Sequence, residues 1–314
     1  MDLHQLTLLR ELRELGSVKA VADSLLVTPS AVSQHLAQLQ RSVAVPLTRK
    51  HGRTLVLTEA GEVLAEAGAD VVAAMARARA AISAFHEDAS AQVRVSGFHS
   101  AGQALFAPLL RVLEQHDGAA PAVSFTDEDV AEQDFPALTA QYDLVLAHRM
   151  EHRPPRPSGG VSIMELAREP LDVAVPAGHR LAARQALEAA DVVSEPWVTS
   201  RPGYSPDDVL SAIGALASAP PRVVHRINDY STIAALVAEG GVLGLLPRYT
   251  SRRALGAQTG VVLKPLRGLN TKRRIDLMAR PEALERASVR AVVSAFEAVM
   301  AELITPQSPP AAAP

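Results

Sequence analysis

The chain has 314 residues, 48% of them apolar, and a formal net charge of −3, so it is long enough for two or three packed cores and its overall charge selects no partner. It contains no cysteine, which excludes disulfides, thiol redox sensing, cysteine-ligated zinc and cysteine nucleophiles. The start Met1-Asp2-Leu3-His4-Gln5 lacks the features of a signal peptide, and no run approaches the roughly 20 apolar residues of a membrane span, so a cytoplasmic location is expected.

Leu3, Leu6, Leu9, Leu12 and Leu15 recur every third residue and predict an amphipathic helix that stops at Gly16. Ser17 is placed to cap a short second helix carrying Val21, Ala22 and Leu25, followed by a tight connection at Leu26-Val27. Thr28 caps a third helix, and Pro29 occupies its first position, where a missing N–H costs nothing. On this helix Val32, Leu36, Leu39 and Val43 form one apolar stripe, while Ser30, Ser33, Gln34, Ala37, Gln38 and Arg41 form the opposite face. Short hydroxyls and amides, in place of the Glu and Lys pairs of a solvated helix, suit a helix that enters the major groove and meets base edges. An ordinary polar face is the alternative.

Residues 24–58 contain no Asp or Glu, whereas Arg41, Arg49, Lys50 and Arg53 are basic. This is the footprint of a phosphate-contacting surface, or of a merely solvated basic face. Residues 46–49 and 54–57 read as short strands joined by Lys50-His51-Gly52-Arg53, a hairpin whose basic tip forms a wing beside the third helix.

Thr58 caps a long helix with Glu59 and Glu62 in its first turn. Leu64, Val71, Ala78 and Phe85 are seven apart, as are Gly68, Met75 and Ile82, and the two series interleave as the a and d positions of a heptad. A second copy of the chain is the simplest partner for that stripe; burial against the chain's own C-terminal part is the alternative.

From residue 92 short apolar strands (92–96, 122–125, 142–147, 171–175, 197–199, 222–226, 244–246, 261–265 and 274–279) alternate with helical patterns (101–115, 129–140, 207–217, 231–239 and 281–303). The alternation predicts an α/β domain with parallel strands and ligand sites at strand ends or between two subdomains. Asp127, Glu128, Asp129, Glu132 and Asp134 form an acidic cluster, and the Pro/Ala-rich stretch 304–314 reads as a disordered tail. His148 and His152 have the spacing that puts two imidazoles on one helix face, but no third ligand accompanies them and Pro154-Pro155 follow, so no metal site is expected. The turn Gly240-Gly241-Val242-Leu243-Gly244 lacks dinucleotide spacing, and no Walker loop, nucleophile elbow or HExxH motif occurs. No cofactor, no catalytic residue and no enzymatic activity are expected.

Several of these segments resemble the LysR-type transcriptional regulators. Gly16-Ser17, Ala22 and Leu25 are similar to that family's second helix, and Thr28-Pro29-Ser30-Ala31-Val32-Ser33 to the start of its recognition helix. Val45-Pro46-Leu47 resembles the beginning of its wing, and Leu57-Thr58-Glu59-Ala60-Gly61 the cap of its dimerising linker helix. The resemblance continues through Tyr142-Asp143-Leu144-Val145-Leu146, Glu169-Pro170-Leu171, Pro176-Ala177-Gly178-His179, Glu195-Pro196-Trp197-Val198 and residues 236–247, and so spans nearly the whole chain. Gln40, Ala44, Thr48 and Val242 depart from it, standing where the family usually has Glu, Gly, Phe and Gly; Thr48 puts a polar group where an aromatic anchors the wing.

The resemblance implies an N-terminal all-α winged helix-turn-helix (1–58), a linker helix (59–88) and a C-terminal α/β effector domain (92–303). That last domain would comprise two Rossmann-like, periplasmic-binding-protein-like subdomains, the first of 92–163 and 266–303 and the second of 164–265. It implies DNA contacts from Thr28, Ser30, Ser33, Gln34, His35 and Gln38, and backbone contacts from Arg49, Lys50 and Arg53. It also implies a small anionic or amino-acid-like effector held by Phe98, His99, Ser100, Ser200, Arg201, Asp229, Tyr230 and Ser231. Double-stranded promoter DNA, the effector, a second and even a fourth copy of the chain, and RNA polymerase are the implied partners. The competing class is a small-molecule binding protein or enzyme on the same α/β cleft, which leaves the acid-free helix, wing and heptad helix without a purpose.

Overall fold

The computed structural model of the chain describes residues 1–52, 54–83, 92–115, 120–154, 160–252, 255 and 260–305. Helix α1 (Leu3–Leu15) opens on a capping box between Asp2 and Gln5 and closes at Gly16, whose φ of 72° lets its N–H reach Leu12 O. Ser17 caps α2 (Val18–Ser24) through Ala20 N, and Thr28 caps α3 (Pro29–Arg41) through Ala31 N, with Pro29 in the first turn. Strands β1 (Thr48–His51) and β2 (Thr54–Leu57) form the antiparallel wing. The leucines of α1 meet Val21, Val32, Leu36, Leu39, Leu47 and Leu57 in a core belonging to this head.

The wing begins two residues later than the sequence pattern predicts, because Pro46 and Leu47 are engaged elsewhere. The Gln40 side chain accepts from Leu47 N at 2.7 Å and donates to Val45 O at 2.9 Å. A Glu at position 40 has no donor for the second bond when ionised. Thr58 ties the other side: its hydroxyl donates to Pro46 O at 2.6 Å and accepts from Gly61 N at 3.1 Å. A Cβ on Gly61 would lie 2.1 Å from Leu47 O, so only glycine lets the next helix approach the wing this closely. Thr48 is half-buried, and buried Leu47 and Leu57 supply the apolar anchorage at the wing's base.

Helix α4 (Glu59–Ser83) runs for 25 residues, roughly 37 Å at 1.5 Å per residue. Its heptad finds a partner that the sequence reading does not name, the N-terminal head itself, and leaves the rest of the stripe open. Gly68 lies against Leu6 and Leu64 packs on the head's own core, whereas Val71, Met75, Ala78 and Ile82 are exposed. Phe85 lies outside the described residues.

The remaining elements are β3 (Val93–Gly97), α5 (His99–Glu114), β4 (Val123–Asp127), α6 (Phe135–Leu138), β5 (Leu144–Met150), β6 (Ser162–Pro176), α7 (Ala189–Val192), β7 (Pro196–Thr199), α8 (Ser205–Ala217), β8 (Arg222–Arg226), α9 (Tyr230–Ala238), β9 (Gly244–Pro247), β10 (Val261–Lys264), β11 (Lys272–Ala279), α10 (Pro281–Leu284) and α11 (Ala287–Ile304). The main sheet has the order β10-β6-β11-β5-β3-β4, with β9 also pairing β6, and β7-β8 form a separate pair. The expected parallel pairing holds for β3–β4, β3–β5 and β7–β8. It fails for β6 and β11, which pair antiparallel with their neighbours and make the sheet mixed.

The sequence pattern predicts a strand over 171–175, and the structure shows the second half of the 15-residue β6 there. The first half carries Glu165, Arg168 and Glu169, which interrupt the apolar run that sequence patterning detects. The boundary placed between 163 and 164 falls inside this strand: Ile163, Met164, Leu166 and Ala167 pack with the first effector core, and Leu171, Val173 and Val175 with the second. The helix expected over 129–140 is only a short turn followed by α6, because Asp129 is held by bonds from the opposite subdomain, described below. The helix expected over 281–303 is interrupted at Arg286, which has extended backbone and reaches Asp143 and Gln92 O.

Candidate nucleic-acid interface and ligand cleft

The outward face of α3 presents Ser30, Ser33, Gln34, Ala37 and Arg41 to solvent. Thr28 accepts from Ala31 N at 3.2 Å, and Ser33 donates to Pro29 O at 2.9 Å, which leaves its oxygen able to accept. His35 and Gln38 lie on the flank turned toward α1, and both are half-buried. The His35 ring meets His4 edge-on at 4.7 Å, and Gln38 accepts from Gln5 at 3.5 Å. Arg41, Arg49 and Lys50 are exposed and form no ion pair among the described residues. Arg53 lies outside the described residues. The structure therefore brings the described candidates of this set together on α3 and the wing, with two of them partly engaged by α1. Beside them an apolar groove of about 530 Å³ opens between the wing's base and α4, lined by Val43, Val45, Leu47, Val63, Leu64 and Ala67.

A second site lies between the effector subdomains, where β3 and β7 end and α5, α8 and α9 begin. It encloses about 20 Å³, room for a water and little more. Phe98, His99, Ser100, Ser200 and Tyr230 line it, as the sequence predicts, together with Asp129, His148, Tyr204, Pro206, Asn228 and Arg273. Arg201, Asp229 and Ser231, placed in this site by the sequence reading, do not line the cavity; they bridge its rim.

The floor is a buried ion pair. Arg273, 1% exposed, donates through Nη2 to Glu169 Oε2 at 2.8 Å, to Thr250 Oγ1 at 2.9 Å and to Ser100 Oγ at 3.3 Å. Glu169 also accepts from Tyr249 N and Thr250 N, so its buried charge is spread over backbone donors as well as the guanidinium. The rings of Phe98 and Tyr230 flank the guanidinium at 5.2 and 5.9 Å. Burial raises the Tyr230 pKa, which keeps its hydroxyl protonated.

His148 forms the wall. It lies on strand β5, not on a helix, and His152 is in the turn beyond the strand, so the helix-face geometry considered for the two imidazoles does not arise. Its ring sits between Phe98 and Phe135, with Nδ1 3.1 Å from Ser205 Oγ. Burial, aided by the charge of Arg273, lowers its pKa to about 3, and the imidazole is neutral at neutral pH.

The mouth is closed by bonds from one subdomain to the other. Asp129 accepts from Asn228 Nδ2 at 2.9 Å, its carbonyl accepts from the Tyr204 hydroxyl at 2.8 Å, and Arg201 stands 3.7 Å away. His99 reaches Asp127 at 2.9 Å through Nδ1 and Asp229 at 3.2 Å through Nε2. The hydrogen bond to Asp127 raises the His99 pKa and outweighs its burial. Asp229 caps α9; burial works against its charge, yet bonds from Thr232 and Ser231 N hold its pKa below the usual carboxylate range. By contrast α5 starts without a side-chain cap, leaving first-turn N–H groups at the cleft for an anion, whereas at α8 Pro206 has no N–H and Asp207 N donates to Ser200 Oγ at 3.2 Å; the rim carboxylates suit an amine.

Sequence reasoning found residues at the starts of helices and missed those inside strands and loops. A signal for Arg273 existed: with Lys272 and Arg274 it makes three adjacent cations at the head of a strand that is otherwise apolar but for Asp276. Asp129 was visible only as part of an acidic cluster, and His148 only as one of a pair of histidines.

Residues 86–301 match the family model described as the LysR substrate binding domain, and residues 3–62 the model of the bacterial regulatory helix-turn-helix protein, lysR family. The chain is 21% identical over 280 residues to the HTH-type transcriptional regulator CysL of Bacillus subtilis, covering 88% of this chain and 89% of that protein. Its fold is similar to that of a full-length OxyR variant from Pseudomonas aeruginosa, with a TM-score of 0.64, 17% identity and 94% of each chain covered. It is also similar to full-length CbnR in complex with its target DNA, with a TM-score of 0.51, 19% identity and 96% and 100% of the two chains covered.

Proposed function

The chain belongs to the LysR family of transcriptional regulators, and from that premise we propose how its residues divide the work. Helix α3 enters the major groove, where Ser30, Ser33 and Gln34 meet base edges and Thr28 holds the helix start against the backbone. His35 and Gln38 contact DNA at the flank beside α1, and Arg49, Lys50 and Arg53 bind phosphates from the wing. The observation that carries this reading is the outward face of α3: it is polar, exposed, free of acids and almost free of bonds to the rest of the chain. Such a face can form hydrogen bonds to bases without first breaking its own.

The effector domain takes a small anionic or amino-acid-like molecule in the cleft between its subdomains. Because the enclosed space is about 20 Å³, the ligand enters by exchanging bonds at the mouth, and closure around it differs from closure without it. The ligand would thereby bias the arrangement of two DNA-binding heads in a homodimer or higher assembly. The exposed stripe Val71, Met75, Ala78 and Ile82 on α4, continuing into the groove beside Val63, supports pairing with a second copy. On this reading the head occupies 1–58, the linker 59–88 and the effector domain 92–303. The protein acts in the cytoplasm at promoters, where RNA polymerase is a partner.

Selection of duplexes from a random pool by the full-length protein tests the reading. A defined half-site should be enriched, and Gln34→Ala should enrich a different or less defined one. No enrichment at low salt would sink it. Met75→Glu should convert the assembly to monomers in sedimentation; an unchanged mass would rule out the α4 stripe as the interface.

A further inference from the structure

The DNA-binding function leaves one buried cluster unused. Arg10 and Glu11 lie in the middle of α1, and neither contributes to the head's apolar core, yet they are only 3% and 1% exposed. They are covered by the effector domain. Arg280 Nη1 and Nη2 each stand 2.6 Å from an oxygen of Glu11, a two-pronged grip, while Arg280 Nε donates to Thr139 O at 2.9 Å. Arg10 reaches Glu282 at 2.7 Å, and α10 lies against α4. Gly160 completes the contact: a Cβ there would lie 3.5 Å from Arg10 Cδ and 3.8 Å from Ala69 Cβ on α4.

Two features of this contact bear on its role. A two-pronged guanidinium–carboxylate bond fixes direction as well as distance, so it sets how the head is turned on the effector domain. The contact is also incompletely satisfied: Arg10 Nε, Arg10 Nη1 and Glu282 Oε2 are buried without partners. A buried ion pair of this kind fixes the geometry of its partners, and its unpartnered atoms mean that it adds little net stability in doing so. The position of Arg280 supplies the rest. It follows the last residue of β11, and Arg273, seven residues earlier in the same strand region, is the floor of the ligand cleft. One extended segment of roughly 23 Å thus joins the cleft to the head.

We propose that Arg280 is a positioning residue for DNA recognition: by gripping Glu11 it locks the reading head, and α4 packed on it, to the effector domain, and so braces the two α4-paired heads of a dimer at one separation of their half-sites. The inference rests on the DNA-reading and dimer assignments above. It concerns neither base contact nor the ligand, and Arg280 touches no DNA in it. Two heads held rigidly at the right span act at high effective concentration on the second half-site; loosely held heads lose that advantage but accept more spacings.

The test uses the full chain and duplexes carrying two copies of the half-site selected from a random pool, their separation stepped one base pair at a time through about one turn of about 10 bp. Wild type should show a sharp optimum. Arg280→Gln should keep its affinity for a single half-site and its salt slope, yet lose on the order of tenfold at the optimum and show a flattened profile. Because the chain has no native cysteine, an Ala69→Cys/Gly160→Cys pair can staple the docked head, the 3.8 Å spacing lying within the roughly 3.5–4.5 Å that disulfides need. The φ of 99° at Gly160 strains a cysteine there, so bridge formation is verified by non-reducing electrophoresis. In the Arg280→Gln background the oxidised staple should restore the sharp optimum, and reduction should abolish it. Glu11→Gln should reproduce the flattening if Arg280→Gln folds poorly. An unchanged spacing profile in both variants, or an oxidised staple that leaves the profile flat, overturns the proposal. Failure to select any half-site overturns instead the DNA-reading assignment on which it stands, and intact half-site binding with no spacing optimum in wild type overturns the dimer premise.

Discussion

The face of α3 and the cleft between the effector subdomains are both polar sites, and they are built in opposite ways. On α3 the side chains of Ser30 and Gln34 are exposed and make no hydrogen bond among the described residues. In the cleft nearly every polar group is already matched: Arg273 with Glu169, His148 with Ser205, Asp129 with Asn228, and His99 with Asp127 and Asp229. A site of the first kind gains bonds when its partner arrives and leaves the fold behind it untouched. A site of the second kind exchanges bonds, so occupancy must alter what holds the subdomains together. The first construction suits a reader and the second a sensor, and the same contrast says where mutations should damage stability and where they should damage recognition alone.

The largest effect should come from the cleft floor. Removing Arg273 leaves the buried Glu169 with two backbone N–H groups and the Thr250 hydroxyl but no positive charge, and Arg273→Met should lower the unfolding free energy by about 3–5 kcal/mol in urea titration. Adding Glu169→Gln should recover part of that loss. A change below about 1 kcal/mol, the range of an exposed pair, would break the contrast by making the cleft no more integral to the fold than the surface.

His148 sharpens it through pH. Its folded pKa of about 3 lies below the ordinary 6.5, so between these values the unfolded chain takes up the proton first. The contribution of His148 is complete above pH 6.5 and declines as the pH falls toward 3, by up to about 1.4 kcal/mol per pH unit. His148→Gln should flatten the loss of stability between pH 6.5 and 5. His99 has the opposite sign. Its pKa is raised by Asp127, so its bridge to Asp229 is strongest at acidic pH and is lost as the pH climbs through the raised value, above 6.5. His99→Gln should remove an alkaline decline that is smaller than the acid effect, because this ring is partly exposed. Thermal melts across pH check both.

These differences also explain what the sequence made readable. The head is local: its caps, its Pro29, its outward hydroxyls and its basic hairpin all fall between residues 2 and 58, and the periodicity of α3 sorts buried from exposed without knowledge of the rest. The family resemblance added the linker helix and the two-subdomain plan. The cleft is assembled by topology. Ser100, Asp129, His148, Ser200, Asn228 and Arg273 meet because β3, β5, β7 and β11 converge there, and no spacing rule links residues so far apart. Helix starts were recognisable within it because capping has a local signature, whereas His148 and Arg273 lie on strands whose neighbours read simply as apolar. The first half of β6 was hidden for a related reason: its charged residues pair across strands, Arg274 with Glu165 for example, and only the fold brings those partners together. Arg10 and Glu11 show the limit most clearly. On α1 alone they belong to the solvent side, and Arg280, 269 residues later than Glu11, puts them inside.

The smallest predicted effect belongs to the wing. Arg49 is exposed and unpaired among the described residues, so Arg49→Ala should leave urea stability within about 0.5 kcal/mol of wild type. It should weaken binding to all duplexes alike and reduce the slope of log affinity against log salt by about 0.9, the loss of one phosphate contact. A change in sequence preference instead would move Arg49 from the backbone to the bases.

The most direct measurement is the affinity of wild type and Gln34→Ala for the selected duplex and for random DNA, by fluorescence anisotropy at fixed salt. If the exposed face of α3 is the reader, Gln34→Ala keeps its affinity for random DNA and its fold stability, and loses about 1–3 kcal/mol on the selected duplex only. Equal losses on the two DNAs, or no loss on either, would contradict the account.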